Sequence, residues 1–239
     1  MFKTIVFGLL LSVSSSLFAS EIPVEITRIS TSAYGTSFLV KSAAGVRVAM
    51  DPHQVPEGVV ADVITVSHSH ADHMDEMFQE DMQAMGAAFF ANFSKDVSFQ
   101  KDDLKLFSVP GMHNPVPVTP ETPTNSIFVV ETAGLRIAHF GDLGQVEFTP
   151  EQLAALGRID VAFMQFENTF SDLSAAEGRA FRLMDKIGPK LIVPTHAGGK
   201  SWEKLNAVYG PAIQAGAVLR VEAGKLPDKT RVVELEAPK

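Results

Sequence analysis

The stretch "TVSHSHADHMD", Thr65 to Asp75, gathers three of the chain's seven histidines and two aspartates into eleven residues. It grows out of "ADVITVS", Ala61 to Ser67, a short β-branched run of the kind that forms a strand buried on both faces. His68 and His70 are two apart, so an extended backbone points both to one side. Asp72 and His73 fall where the chain turns and face a second point nearby. Neutral imidazole with carboxylate suits zinc, and also iron, manganese or cobalt. A solvated, histidine-rich loop is the plain alternative, and with seven histidines in 239 residues this density fits chance poorly.

Partners for these groups recur at comparable places along the chain. His113 sits in "PGMHNP", after the strand-like "LKLFSVPG"; Asp142 ends "LRIAHFGD"; His196 ends "KLIVPTH". Each lies at or just beyond a predicted strand terminus, where open sheets place their sites. Further strands are expected in "VEITRIS", "TSFLVKS", "GVRVAMDP", "NSIFVVET" and "IDVAFMQF". Helices are expected over Met74–Met85, stopped by Gly86, after the capping box Thr149–Gln152, after a second box Ser174–Glu177, and from a Ser201 cap to Gly210. The four prolines between Gly111 and Thr124 make that segment a loop. Strands and helices in this order imply sheet layers covered by helices, an α/β fold.

H-x-H-x-D-H followed by a lone His, a Gly-Asp and a late His resembles the metallo-β-lactamase superfamily. The resemblance runs over almost the whole chain after residue 20 and includes "MDP", with Asp51 as an early structural aspartate. It implies a four-layer αβ/βα sandwich of two mixed sheets, with metals at one edge. It also implies two divalent ions, zinc first, with manganese or iron as alternatives. One ion would take His68, His70 and His113, the other Asp72, His73 and His196, with Asp142 bridging. Asp72 and Asp142 would also be catalytic, orienting the nucleophile. Within the superfamily, "RIAHFGDLGQVEFTPEQLAALGRIDV" is similar to the L-ascorbate 6-phosphate lactonase-like branch. An aspartate at 142 fits lactonases, thioesterases and phosphodiesterases better than true β-lactamases. The implied activity is metal-dependent hydrolysis of an ester, lactone, amide or phosphodiester bond in a small molecule.

Around that set the chain departs from its relatives, with "STSAYGTSF", Gln145, "MQFENTFSD" and "HAGGKSW" in place of commoner segments. Pocket candidates from these segments are Glu167, Asn168 and Lys200; His53, after Asp51-Pro52, is another, with a plain loop histidine as the alternative. His139 reads as a core histidine or one that orients a ligand. No Lys or Arg occurs between Lys105 and Arg136, which tilts the substrate toward a neutral ester or lactone. Two other readings stand beside hydrolysis: a mononuclear-iron sulfur dioxygenase on the same fold, and a metal-binding protein without catalysis. A phosphate loop at "GGKS" is excluded, because the full pattern needs glycine where Pro194 stands.

Composition narrows the rest. With no cysteine, disulfides, thiolate zinc sites and cysteine nucleophiles are excluded. A net charge of −8 offers no basic footprint for nucleic acid. Residues 1–20, "MFKTIVFGLLLSVSSSLFAS", carry one early lysine, an apolar centre and small residues, as a secretory signal peptide does. Cleavage after Ala19 or Ser20 would leave a domain over 21–239, exported to a periplasm or beyond, with no stable membrane anchor. Oligomeric state is left open.

Overall fold

The computed structural model describes residues 22–32, 35–91, 97–119 and 121–238, and the leader expected over 1–20 lies outside them. In chain order the elements are β1 (Val24–Arg28), β2 (Phe38–Lys41), β3 (Arg47–Met50), β4 (Val63–Thr65), α1 (Glu76–Ala84), β5 (Ala88–Phe90), β6 (Ser98–Lys101), β7 (Leu104–Gly111), β8 (Asn125–Thr132) and β9 (Leu135–His139). There follow α2 (Pro150–Leu156), β10 (Val161–Gln165), α3 (Arg179–Ile187), β11 (Leu191–Thr195), α4 (Gly199–Tyr209), β12 (Ile213–Gln214), β13 (Val218–Val221) and β14 (Arg231–Glu234).

Two sheets form. One runs β13-β1-β2-β3-β4-β5, the other β12-β14-β11-β10-β9-β8-β7-β6. Both are mixed: β2–β3 is antiparallel and β3–β4 parallel in the first, β8–β9 antiparallel and β9–β10 parallel in the second. Alternating residues such as Val24, Ile26, Val40 and Val48 meet Leu106, Phe128, Val130, Ile137 and Phe163 between the sheets. The outer face of the second sheet is covered by Leu156 of α2, Phe181 and Met184 of α3 and Leu205 of α4. Phe78 and Met82 of α1 pack on Ile64 and Ala49, behind the first sheet. The order helix, sheet, sheet, helix is the four-layer αβ/βα sandwich, with apolar burial of roughly 25 cal/mol per Å² as its main support.

Local rules account for most element ends. Thr149 and Gln152 close a complete capping box with Pro150 in the first turn, an arrangement whose loss costs about 1 kcal/mol. Asp75 caps α1 by accepting from Phe78 N, so that helix starts at Glu76, two residues after the expected Met74. Two other expectations are corrected. Ser174 does accept from Glu177 N, but the helix begins only at Arg179, because Gly178 turns left-handed at φ 77°. Ser201 does not cap α4; Gly198 holds that position, and the Ser201 hydroxyl turns inward to Glu167. The short strands β5, β6 and β12–β14 carry too few residues to show a period and went unread.

Candidate metal centre

β4 ends at Thr65, the chain bends at His68 and Ser69, and a 3-10 turn, Ala71–His73, folds it back after an extended His70. That turn brings Asp72 and His73 within reach of His196. Behind it the Asp75 carboxylate accepts from both Phe78 N and Val55 N, pinning the end of the motif.

From three other strand ends come His113, Asp142 and His196. One ligand atom each from His68, His70, His113 and Asp142 lies within 4.8 Å of the others, and the same holds for Asp72, His73 and His196. Asp142 stands between the groups. Its Oδ2 is 3.5 Å from His68 Nε2 and 3.6 Å from His113 Nε2; its Oδ1 is 3.3 Å from Nε2 of both His73 and His196. Asp72 Oδ2 reaches to 3.9 and 3.8 Å from the same two nitrogens.

A hydrogen-bond network aims these nitrogens. The Ser67 hydroxyl donates to Asp51 Oδ2 at 2.5 Å, so its oxygen accepts from His68 Nδ1 at 3.0 Å. His73 Nδ1 donates to the same Asp51 oxygen at 2.7 Å. Both rings thereby keep a proton on Nδ1 and turn Nε2 to the cluster, bare on His68 and, on His73, the nitrogen whose proton a bound cation would displace. His68 Nε2 and Asp142 Oδ1 are buried without a hydrogen-bond partner among the described residues. An orphaned imidazole lone pair and an orphaned carboxylate oxygen would each be costly in a sealed core. The same atoms fit a divalent cation, which takes both as ligands.

Asp142 is itself built in. Its N–H donates to Asn125 Oδ1, and Asn125 Nδ2 holds the Phe140 carbonyl. Asn168 Nδ2 donates to Asp142 Oδ2 at 2.6 Å. The "GDLG" glycines leave room for this. A Cβ on Gly141, at φ 55°, would strike Ser67, and one on Gly144 would run into the His113 carbonyl. Gln145 is no pocket group: its amide pairs with Gln152 of α2 and accepts from Met112 N.

Of the pocket candidates, Asn168 meets a candidate ligand directly. His53 lies outside the ligand groups, with Nδ1 donating to the Met74 carbonyl at 3.3 Å. The Glu167 carboxylate accepts from Ser201 at 2.8 Å and the Glu167 backbone N–H donates to the His196 carbonyl, so this residue braces the turn that carries His196. Lys200 is exposed in the first turn of α4. His139 is buried, accepting from Gly141 N and donating from Nε2 to the Thr36 carbonyl. Two ordinary residues hold left-handed backbone here, Asp51 at φ 46° and His196 at φ 41°, strain that rigid surroundings must over-determine. Asn125 and Ser67 escaped sequence reading because each is a single polar residue with no motif around it.

Burial pushes His68 down to about 3, and the neighbouring His73 adds to that. Burial also lowers His70 and His139. For His73 burial acts downward too, but the carboxylates of Asp51 and Asp142 outweigh it and lift the ring to about 10. Asp51 is held at about 2, its burial outweighed by His139 and His73, and Asp142 lies well below the usual range. The signs define a pH profile for the metal-free protein. The depressed His68 and Asp51 make stability rise with pH up to about 6.5, since the unfolded chain binds more protons there. The raised His73 makes stability fall from about 6.5 to 10, where the folded chain binds more. Thermal unfolding of chelator-treated protein is expected to peak near neutrality, and divalent metal is expected to reverse the alkaline decline. A flat profile from pH 6.5 to 10 would show that His73 gains no proton on folding.

Fold and cluster together define an α/β protein with an imidazole–carboxylate metal centre at one edge of a two-sheet sandwich. Residues 31–196 match the beta-lactamase superfamily domain, and the chain belongs to that family. The match closes at His196, the last of the clustered residues. Among solved structures, the chain is similar to a Thermotoga maritima protein of the metallo-beta-lactamase superfamily proposed as a Zn-dependent hydrolase, at 23% identity and TM-score 0.66 over 90% of this chain and 100% of that one. Igni18, a metallo hydrolase from Ignicoccus hospitalis, aligns at 17% identity and TM-score 0.58 over 88% and 95%. YhfI, a metallo-beta-lactamase fold protein from Bacillus subtilis, aligns at 12% and 0.59 over 90% and 97%. At these identities the likeness is one of fold. No curated protein matches the chain by sequence.

Proposed function

We propose that the protein is an exported metal-dependent hydrolase acting on a small ester or lactone. In this reading His68, His70 and His113 hold one divalent ion, Asp72, His73 and His196 a second, and Asp142 bridges them. The placement of Asp142 between the two groups, one oxygen turned to each, is the observation that carries it. Zinc is the first choice, with manganese or iron as alternatives. Ions held this way supply Lewis-acid polarisation of a carbonyl and activation of water at neutral pH.

The chain's own groups do the remainder. Asp51 and Ser67 fix the tautomers of His73 and His68, and Asn168 fixes the bridging carboxylate. Asp72, whose side chain is 31% exposed, is the carboxylate of the set with solvent access and passes a proton between substrate and water. Buried His68, His73, His113 and Asp142 exclude water from the other side. The "GDLG" tract supports placing the chain with the L-ascorbate 6-phosphate lactonase-like branch for reaction type. A phosphorylated substrate is disfavoured: the 112–119 loop has no cation. Arg28, which lines a cavity beside Ala197, spends its guanidinium on the Ser32 carbonyl. Export is read from residues 1–20, and no described helix is long and apolar enough to cross a membrane.

Elemental analysis of the purified protein, paired with a panel of esters, lactones, amides and phosphodiesters, tests the proposal. About two ions per chain with ester or lactone turnover is the expected result. One iron per chain with oxygen uptake on a persulfide would establish the dioxygenase instead, and bound metal with no turnover a binding protein.

A further inference from the structure

Phe170 is 77% exposed, the most exposed large apolar side chain among the described residues. It is held there firmly. Asn168 and Leu173 exchange two backbone hydrogen bonds of 2.9 Å, closing a tight loop over residues 168–173. Inside it, Thr169–Ser171 forms a single 3-10 turn, ended by Asp172 in left-handed conformation at φ 48°. Phe170 N donates to Asn168 Oδ1 at 2.9 Å, and Asn114 Nδ2 reaches across from the facing loop to the Phe170 carbonyl at 3.2 Å. Arg179, buried under the loop, donates to the carbonyls of Asp172 and Gly144. A loop fastened at so many points does not leave an aromatic ring in water by default.

The position of the ring gives it a use. Its centroid is 6.0 Å from the ring of His70, edge to face, and His70 is in turn 4.6 Å from the rings of His68 and His113. Asn168 ties the two together: its Nδ2 holds Asp142 while its Oδ1 holds the backbone of Phe170. Val116, two residues beyond Asn114, is also exposed on the facing loop, which has no charged side chain from His113 to Thr119 other than the clustered histidine.

We propose that Phe170 is the specificity-determining residue of the site, recognising an apolar, aromatic or acyl group next to the carbonyl that faces the metal centre. The substrate class is then an ester or lactone with a hydrophobic acyl part, in place of a sugar phosphate. The inference rests on reading the cluster as a metal centre that meets a small substrate. A ring face covered by an apolar group is worth a factor on the order of ten in affinity.

Hydroxamates test this without turnover, since they chelate divalent ions through two oxygens and carry any side group. Calorimetric titration of zinc-loaded wild type is expected to show benzohydroxamate binding about tenfold more tightly than acetohydroxamate. In F170A that ratio should fall to about one, with zinc content at the wild-type value, and F170L should give an intermediate ratio. Equal affinities in the wild type, a ratio unchanged in F170A, or no binding of either probe would overturn the inference. The two readings fail separately. A Phe170-dependent preference with no turnover of any ester would keep the apolar subsite and remove hydrolysis; turnover with equal affinities would do the reverse.

Discussion

Replacing Asp142 with alanine is expected to empty both halves of the metal centre at once. Among the described residues no other side chain is within 4 Å of Nε2 of four histidines by its carboxylate: His68 and His113 lie on one oxygen, His73 and His196 on the other. In the proposed two-ion centre, removing Asp142 would take one ligand from each ion and the negative charge that offsets both. Partners one step further from a metal typically cost 10–100-fold in affinity, and a shared ligand should exceed that. After desalting, elemental analysis should find close to no metal in Asp142→Ala, against about two ions in the wild type, and turnover should vanish with the metal. Asp142→Asn separates charge from shape, because an amide fills the same space and can still meet Asn168. It should fold, as judged by circular dichroism, and still fail to hold metal. Two ions retained at wild-type affinity in either variant would remove Asp142 from the ligand set.

The second large effect is expected at Asp51, whose carboxylate clusters with His68 and His73 but is assigned in the proposed reading to orienting His73 and not to holding an ion. Its two oxygens take three hydrogen bonds, from Ser67 N, Ser67 Oγ and His73 Nδ1, inside a fully buried pocket. Asp51→Asn suits the left-handed backbone at φ 46°, which asparagine tolerates better than most residues. It nevertheless sets an amide N–H₂ against donors from Ser67 and His73. Breaking a buried charged partnership costs about 3–5 kcal/mol, which in a chain of this size lowers Tm by roughly 6–20 °C. Metal affinity should fall about 10–100-fold as His73 loses the partner that fixes its tautomer. A purely structural role would not predict one further change. The alkaline decline in metal-free stability between pH 6.5 and 10 should shrink, because the charge that raises His73 is gone. Unchanged affinity together with an unchanged alkaline slope would show that Asp51 does not set His73.

Much of this centre was legible before folding. The histidine–aspartate cluster stands out because ligand chemistry uses few residue types, and a strand followed by a turn compresses them into one short stretch. His113, Asp142 and His196 were found by the same logic, each closing an apolar run. What stayed hidden were groups that work singly. Asn125 and Ser67 sit in ordinary strand and loop sequence, and Ser201 read as a helix cap. Its hydroxyl proved to serve Glu167, a partner 34 residues away. The start of α3 was misplaced because a capping box is a local signal, whereas the left-handed Gly178 and the anchoring of Arg179 on Gly144 and Asp172 are set by packing.

By itself the sequence determined the layered α/β fold and the residue types of a metal centre, because periodicity, caps and ligand spacing act over a few residues. Only the tertiary structure decided that Asp142 faces both histidine groups, that Asp51 sets the tautomer of His73, and that Phe170 stands in water beside His70. Those relations join strands from two sheets and loops far apart in the chain. Their energies come from burial and from hydrogen bonds that exist only once the sheets have packed.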